Sequence, residues 1–252
     1  MNIEAIYTWK SEVISIFLRY FLLASITYFI FYKWKYKQLI SNKIQTYIPD
    51  NQQVVREVSY SIITLCIFSF LSYCMFQLYH FGITKIYLNI SEFGIGYFIF
   101  SIFLSIIIHD AYFYWTHRWL HSFRWTQKIH AIHHQSISPT PWASFSFHPI
   151  EAVINFGIIP IIILAIPIHP IALSLFLLIM TLINVMGHLG FETFSSKFIQ
   201  SKLGQFQNNS TNHDFHHEKY HSNFGLYFTF WDKWMKTFYN PKLMKSNKMD
   251  IL

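Results

Sequence analysis

Histidine dominates the residues able to do chemistry in this chain. It occurs 14 times, and eight copies fall in three short clusters: His117 and His121 in HRWLH, His130, His133 and His134 in HAIHH, and His213, His216 and His217 in HDFHH. On a helix each residue turns by about 100°, so positions three and four apart share a face, and each cluster aims two or three imidazoles at one point. Imidazole suits iron, copper and zinc, whereas magnesium and calcium prefer carboxylates; the acids near the clusters are few, namely Asp110, Glu151, Glu192, Asp214 and Glu218. Four ligands saturate a structural zinc, so eight overfill one ion and suit two. The spacing predicts a dinuclear site. Ligand softness does not separate iron from zinc, and an oxidative role is preferred because several neutral ligands anchor a redox-active ion while leaving positions open to dioxygen.

The other histidines carry weaker signals. His188 ends an apolar run in NVMGH, where it can reach the clusters, and His109 stands beside Asp110, where it could orient a ligand. His80 and His169 sit at the edges of apolar runs and read as interfacial or hydrogen-bonded residues, while His148 and His221 remain open.

The elements that position these residues belong to a membrane. At 53% hydrophobic, 20% aromatic and 12% charged, the chain is too apolar for an ordinary soluble domain and reads as an all-α polytopic bundle. Residues 13–32, 58–79 and 93–115 are apolar runs of spanning length, and 150–187 is a longer run broken by Pro160, Pro167 and Pro170, which fit a turn between two short helices. The first run is read as a span, not a cleaved leader, because no basic segment of consequence precedes it and no small-residue cleavage pattern follows. Arg19 within it is expected to snorkel or face the bundle. Cys66 and Cys74 read as buried free thiols, with neither a disulfide framework nor a metal pattern.

Charge sets the orientation. Lys33, Lys35, Lys37, Lys43 and Arg56 lie between the first two runs and only Lys85 lies between the next two, which places the first loop in the cytoplasm. Counting crossings brings all three histidine clusters to that side, and the eight lysines from Lys197 onward agree. The formal charge of +7 therefore has a membrane origin, and nucleic-acid binding is not expected. On one continuous helix the first two clusters would point to opposite faces, so a bend is predicted near residues 122–124.

The run from His109 to Glu151, with PTPWA at 139–143 and FHP at 147–149, resembles the fatty acid hydroxylase and sterol desaturase superfamily, in particular its sterol C-5 desaturase branch. The run beginning at His213 is similar to the last histidine box of that family, followed by Asn223, Phe224, Gly225, Trp231 and Asp232. The resemblance implies a single membrane-embedded oxidase domain over 1–252, with its histidine-box region at 109–240 and a cytosol-facing helical cap over four or so membrane helices. It implies two iron ions held by His117, His121, His130, His133, His134, His188, His213, His216 and His217, and dioxygen-dependent desaturation or hydroxylation of a lipid, sterol-type desaturation being favoured over fatty acyl or sphingolipid hydroxylation. Some hydroxylases of the family carry a further histidine where this chain has Asn184, which could bind weakly or through water. Asp110, His148 and Asp214 are expected to fix imidazole orientation, and Tyr112, Phe113, Tyr114, Trp115 and Trp142 could line a lipid slot. No dinucleotide, haem or iron–sulfur motif is present, so electrons are expected from a separate donor of the cytochrome b5 or ferredoxin kind, docked on the basic face.

Two other classes fit less well. A metal transporter needs charged or histidine residues at the middle of its spans, yet residues 58–79 carry none. A zinc hydrolase needs a positioned glutamate as in H-E-x-x-H, which is missing.

Overall fold

A computed structural model describes residues 8–240; Lys242, Lys245 and Lys248 of the basic tail lie outside the described residues. The main helices are α1 (Trp9–Tyr28, continued by a π-helical stretch, Phe29–Trp34), α2 (Asn51–His80), α3 (Gly94–Leu120), α4 (Arg124–His134), α5 (Pro149–Phe156), α6 (Ile158–Ala165), α7 (Pro170–Gly187) and α8 (Ser210–Lys219). Among the described residues there are three isolated bridges and no strand. Four helices, α1, α2, α3 and α7, are long and apolar enough to cross a membrane, so the chain is a multi-pass, all-α membrane protein.

The spans bury what lipid would reject. On α1 the stripe Ile14, Leu18, Leu22 and Ile26 is exposed, while Ile16, Tyr20 and Ala24 face inward. On α2 the inward stripe is polar, Gln53, Glu57, Ser61 and Ser69 around Leu65, with Val55, Ile62 and Phe70 turned outward. In hydrocarbon an unpaired polar group is costly, so this stripe needs partners within the protein.

The segment after the second histidine cluster supplies them. It dips between α1 and α2 as a 3₁₀ turn, Pro141–Phe145. The Trp142 carbonyl accepts hydrogen bonds from Tyr20 Oη at 2.8 Å and Ser61 Oγ at 2.9 Å. Thr140 donates to Glu57, and Gln53 Nε2 bridges Glu57 Oε1 at 2.8 Å and the Ser138 carbonyl at 2.9 Å. Tyr20 stacks on Phe145, with ring centres 5.2 Å apart.

The expected bend is present. α3 ends at Leu120 and α4 starts at Arg124, the turn being tied by Gln127 Nε2 to the His121 carbonyl at 2.7 Å. At 27 residues, α3 is about 40 Å long against a hydrocarbon layer of about 30 Å, so it is longer than a span needs, and His117 lies in its last turn.

The proline-broken run departs from two short arms. Its first arm, α5 and α6, is shorter than a span, but α7 is of spanning length. The turn lies at 166–169 with Pro167 in it, and Pro170 opens α7. Pro160 lies within the first turn of α6 instead, where a missing N–H costs no intrahelical bond. At the break Tyr112 closes on Gly157 and donates to the Ile154 carbonyl at 2.5 Å, leaving no room for a Cβ. His169 caps α7, accepting from Ile171 N at 3.2 Å, and its Nε2 meets the Leu88 carbonyl at 3.0 Å.

Glu57 is the hub of the contact between α2 and the dipping segment. Replacing it, as in Glu57→Leu, strands Gln53 and Thr140 and should cost about 2 kcal/mol; the check is a lower midpoint of detergent unfolding together with a lower metal content of the purified protein.

Candidate metal centre

Nine histidines converge in two sets. The ligand-capable atoms of His117, His121, His130, His134 and His216 all lie within 4.8 Å of one another, and those of His133, His188, His213 and His217 do likewise, each set able to hold a metal ion. All nine are buried. The sets cut across the sequence clusters for a helical reason. Residues four apart differ by about 40°, so His117 with His121, His130 with His134, and His213 with His217 stay together. His133 and His216 point off those faces and join the other set. The two sets touch where the His134 and His217 rings lie 4.7 Å apart.

Hydrogen bonds at the outer ring nitrogens decide which way each lone pair points. Nδ1 of His117 faces the Phe224 carbonyl at 2.9 Å, that of His188 the Asn184 carbonyl at 2.7 Å, and that of His216 the Ser222 carbonyl at 2.7 Å. Nδ1 of His130 meets Glu151 Oε1 at 2.7 Å and that of His133 the Ser146 carbonyl at 3.3 Å. The four carbonyls can only accept, so on the rings they face Nδ1 carries the proton and Nε2 is left bare toward the centre; Glu151, when ionised, does the same for His130.

Burial keeps the rings neutral. It lowers the His188 pKa to about 4, and burial, with repulsion from His117 and His221, lowers that of His121 to about 2. Burial likewise holds His130, His133, His134, His213, His216 and His217 well below the ordinary imidazole value.

The inner nitrogens fit metal coordination. For metal–nitrogen bonds of about 2.1 Å, neighbouring ligand nitrogens stand about 3.0–3.4 Å apart in octahedral or tetrahedral geometry. The Nε2 pairs His117–His130, His121–His134, His133–His188 and His188–His213 are 3.2, 3.2, 3.1 and 3.0 Å apart. His216 Nε2 and both nitrogens of His217 are buried without a hydrogen-bond partner, which in a dry interior is a cost that a bound cation removes.

The residues expected to orient imidazoles are placed differently. Asp110 Oδ1 accepts from the Tyr227 and Phe228 amides at 3.0 and 3.2 Å, which anchors the segment after the third cluster to α3. His148 caps α5, accepting from Ile150 N at 3.1 Å, and Asp214 accepts from Gln45 Nε2. Asn184 does orient His188, through its backbone carbonyl, while its side chain donates to the Ser144 carbonyl at 2.6 Å. His109 Nδ1 pairs with Tyr227 Oη at 2.8 Å.

Glu151 and the four carbonyls do the orienting that sequence reasoning assigned elsewhere. A carbonyl leaves no mark in residue type. Glu151 left one, a lone acid inside an apolar stretch. The turn that brings the Phe224 carbonyl to His117 is shaped by Asp232, whose oxygens accept from Phe224 N at 2.9 Å and Gly225 N at 2.8 Å. Asn223 adopts a left-handed φ of 59° and donates through Nδ2 to the Asn212 and Tyr239 carbonyls. A Cβ on Gly225 would lie 2.5 Å from the Phe228 carbonyl oxygen, so only glycine fits.

An apolar cavity meets this centre. Its wall includes Phe68, Met75, Phe76, Ile158, Ile163, Leu173 and Leu177, and Phe113, Phe147, Asn155 and Asn184 line both it and the cleft holding His117, His130, His133, His188 and His213. Of the aromatic residues expected along a lipid slot, Phe113 lines the cavity; Tyr112 seals Gly157, Tyr114 and Trp115 pack on Trp231, and Trp142 packs on Tyr20.

Helical spans, two buried groups of imidazoles that could hold metal and an apolar cavity beside them define a membrane protein of the metalloenzyme type. The comparisons name its family. The family model for fatty acid hydroxylase matches residues 102–237, and the chain belongs to that family. It is similar to the human (Homo sapiens) lathosterol oxidase, 30% identical over 234 residues covering 89% of this chain and 72% of that protein. It is 29% identical over 189 residues to a Delta(7)-sterol 5(6)-desaturase of Saccharomyces cerevisiae, covering 72% of this chain and 48% of that one. A putative methylsterol monooxygenase of Dictyostelium discoideum is 32% identical over 168 residues, 62% of this chain and 58% of that one. No solved structure matches. The chain is an enzyme, a membrane-bound desaturase or hydroxylase.

Metal analysis separates the histidines by role. His130→Ala and His216→Ala should lose bound metal and activity, whereas His80→Ala and His169→Ala should retain both. Glu151→Ala, which frees the His130 ring, should weaken metal affinity roughly 10–100-fold in a chelator competition.

Proposed function

We propose that this protein is a dioxygen-dependent lipid desaturase of the sterol type, acting at two iron ions held by His117, His121, His130, His134 and His216 on one side and His133, His188, His213 and His217 on the other. The observation that carries the reading is the junction of these two imidazole sets with an apolar cavity through Phe113, Phe147, Asn155 and Asn184. The names of the relatives, sterol oxidase and sterol desaturases, support the substrate class. Iron, when bound, supplies the redox chemistry that activates dioxygen toward an unactivated C–H bond.

The chain's own residues do the rest. Glu151 and the carbonyls of Ser146, Asn184, Ser222 and Phe224 hold five rings with Nε2 inward. The apolar cavity wall admits a lipid and excludes water. Phe113 and Phe147 frame the opening between cavity and centre, so the depth to which the substrate enters selects the carbon presented, and sub-ångström placement selects desaturation or hydroxylation.

The active site faces the cytoplasm in this reading. Support comes from the basic loop between α1 and α2, which packs on the histidine end: Ile44 N donates to the Gly190 carbonyl at 3.1 Å, Glu192 N to the Asn42 carbonyl at 2.9 Å, and Lys43 Nζ to Ser138 Oγ at 3.2 Å. A separate electron donor of the cytochrome b5 or ferredoxin kind docks on that basic face. Residues 1–252 act as one membrane-embedded domain, with 109–240 as its catalytic region.

The test compares lipids of one host expressing the native chain or His216→Ala. A sterol product lacking two hydrogens, formed only with the native chain, is the expected outcome, together with about two irons per purified chain, the count that two closed imidazole sets require. A product gaining one oxygen instead would make the protein a hydroxylase, and zinc in place of iron would overturn the oxidase reading.

A further inference from the structure

Asn155 is an amide in a place where nothing in the protein answers it. It lies on α5 one turn beyond Glu151, the residue that orients His130, and residues four apart share a helix face. Its side chain lines both the apolar cavity and the histidine cleft. The other uncharged polar side chains of the cavity wall are all committed: Ser72 to the Ser69 carbonyl, Thr181 to the Leu177 carbonyl, Asn184 to the Ser144 carbonyl and His109 to Tyr227. The side chain of Asn155 makes no hydrogen bond among the described residues, in a wall otherwise largely apolar. The half-buried amide is thus free to bond a ligand that enters the junction.

The chemistry of the partner follows from what surrounds the amide. An amide both donates and accepts, as a hydroxyl does. Neither lysine nor arginine lines the cleft, and the one cation in the cavity wall, Arg19, is paired with Glu12 at 3.5 Å and donates to Ser15 at 2.9 Å. No side chain at the junction offers a counter-charge to a carboxylate or phosphate. A neutral alcohol would find both of its hydrogen-bonding needs met.

We infer that Asn155 receives the hydroxyl of a lipid alcohol and thereby fixes which carbon faces the paired imidazole sites. The inference rests on the lipid-oxidase reading and deepens it. One helical turn, about 5.4 Å, separates Asn155 from the residue bonded to His130, so the oxidised C–H lies within a few bonds of the hydroxyl, with the remaining apolar body of the lipid in the cavity between α2, α6 and α7.

Equilibrium binding to the purified full-length chain in detergent tests this with lathosterol and its 3-O-methyl ether as probes. The native protein is expected to favour the free alcohol by about tenfold, the size of one net hydrogen bond. Asn155→Leu should bind both probes with the affinity of the ether and keep its metal, and Asn155→Ser, smaller but still hydrogen-bonding, should keep part of the preference. Equal binding of alcohol and ether by the native protein, as expected if Asn155 merely holds a water, overturns the inference without any variant. A preference undiminished in Asn155→Leu overturns it too, and both results leave the sterol reading intact. A native protein that binds neither probe overturns the sterol reading and the anchor together.

Discussion

Nine neutral imidazoles can share one dry interior only if each keeps its proton away from the others, and this constraint organises the molecule. An imidazole has one donor and one acceptor nitrogen, so an acceptor placed at Nδ1 leaves a bare lone pair at Nε2. The protein provides Glu151 and four carbonyls for this purpose on five of the rings. Several features far from the centre serve the same end. The turn between α3 and α4 folds His130 back toward His117, and Asp232 with Asn223 shapes the loop whose carbonyl reaches His117. The short α5 brings Glu151 against His130.

The membrane makes the second demand. A segment without regular helix cannot face lipid, yet the protein needs one between His134 and α5 to close the centre from the side of α1 and α2. The solution is a polar face on α2 that meets the dipping segment with Glu57, Gln53 and Ser61. Glu57 and Arg19 are thus explained by different means, the first by Thr140 and Gln53 and the second by Ser15 and Glu12. The same bundle leaves an apolar cavity that shares Phe113, Phe147, Asn155 and Asn184 with the cleft of the paired imidazoles.

Membership of the fatty acid hydroxylase family accords with both demands. The matched region, residues 102–237, begins on the part of α3 that bears His109 and His117 and ends just past the Asp232 turn, so it contains all nine histidines together with Glu151. Asn223, Phe224, Gly225 and Asp232 therefore have a physical role: they build the loop that supplies acceptors to the outer faces of His117 and His216.

Much of this was legible in the residues alone. Histidines three and four apart on helices must share a face, so the gathering of imidazoles into groups that could hold metal was expected from spacing; runs of apolar residues likewise read as spans, and incompatible faces required a bend near residue 122. What spacing could not reveal was how the rings divide. His133 and His216 point off the faces of their own clusters, and the packing of the helices decides that each joins the opposite set. The orienting groups were also beyond reach, since carbonyls belong to every residue, and Asp110, His148 and Asp214 were chemically suitable acids and bases that the fold spends on Tyr227, α5 and Gln45. Local periodicity depends on the chain's own helix geometry and is written in sequence. Convergence of groups from seven separate segments depends on packing, and only the tertiary structure decides it.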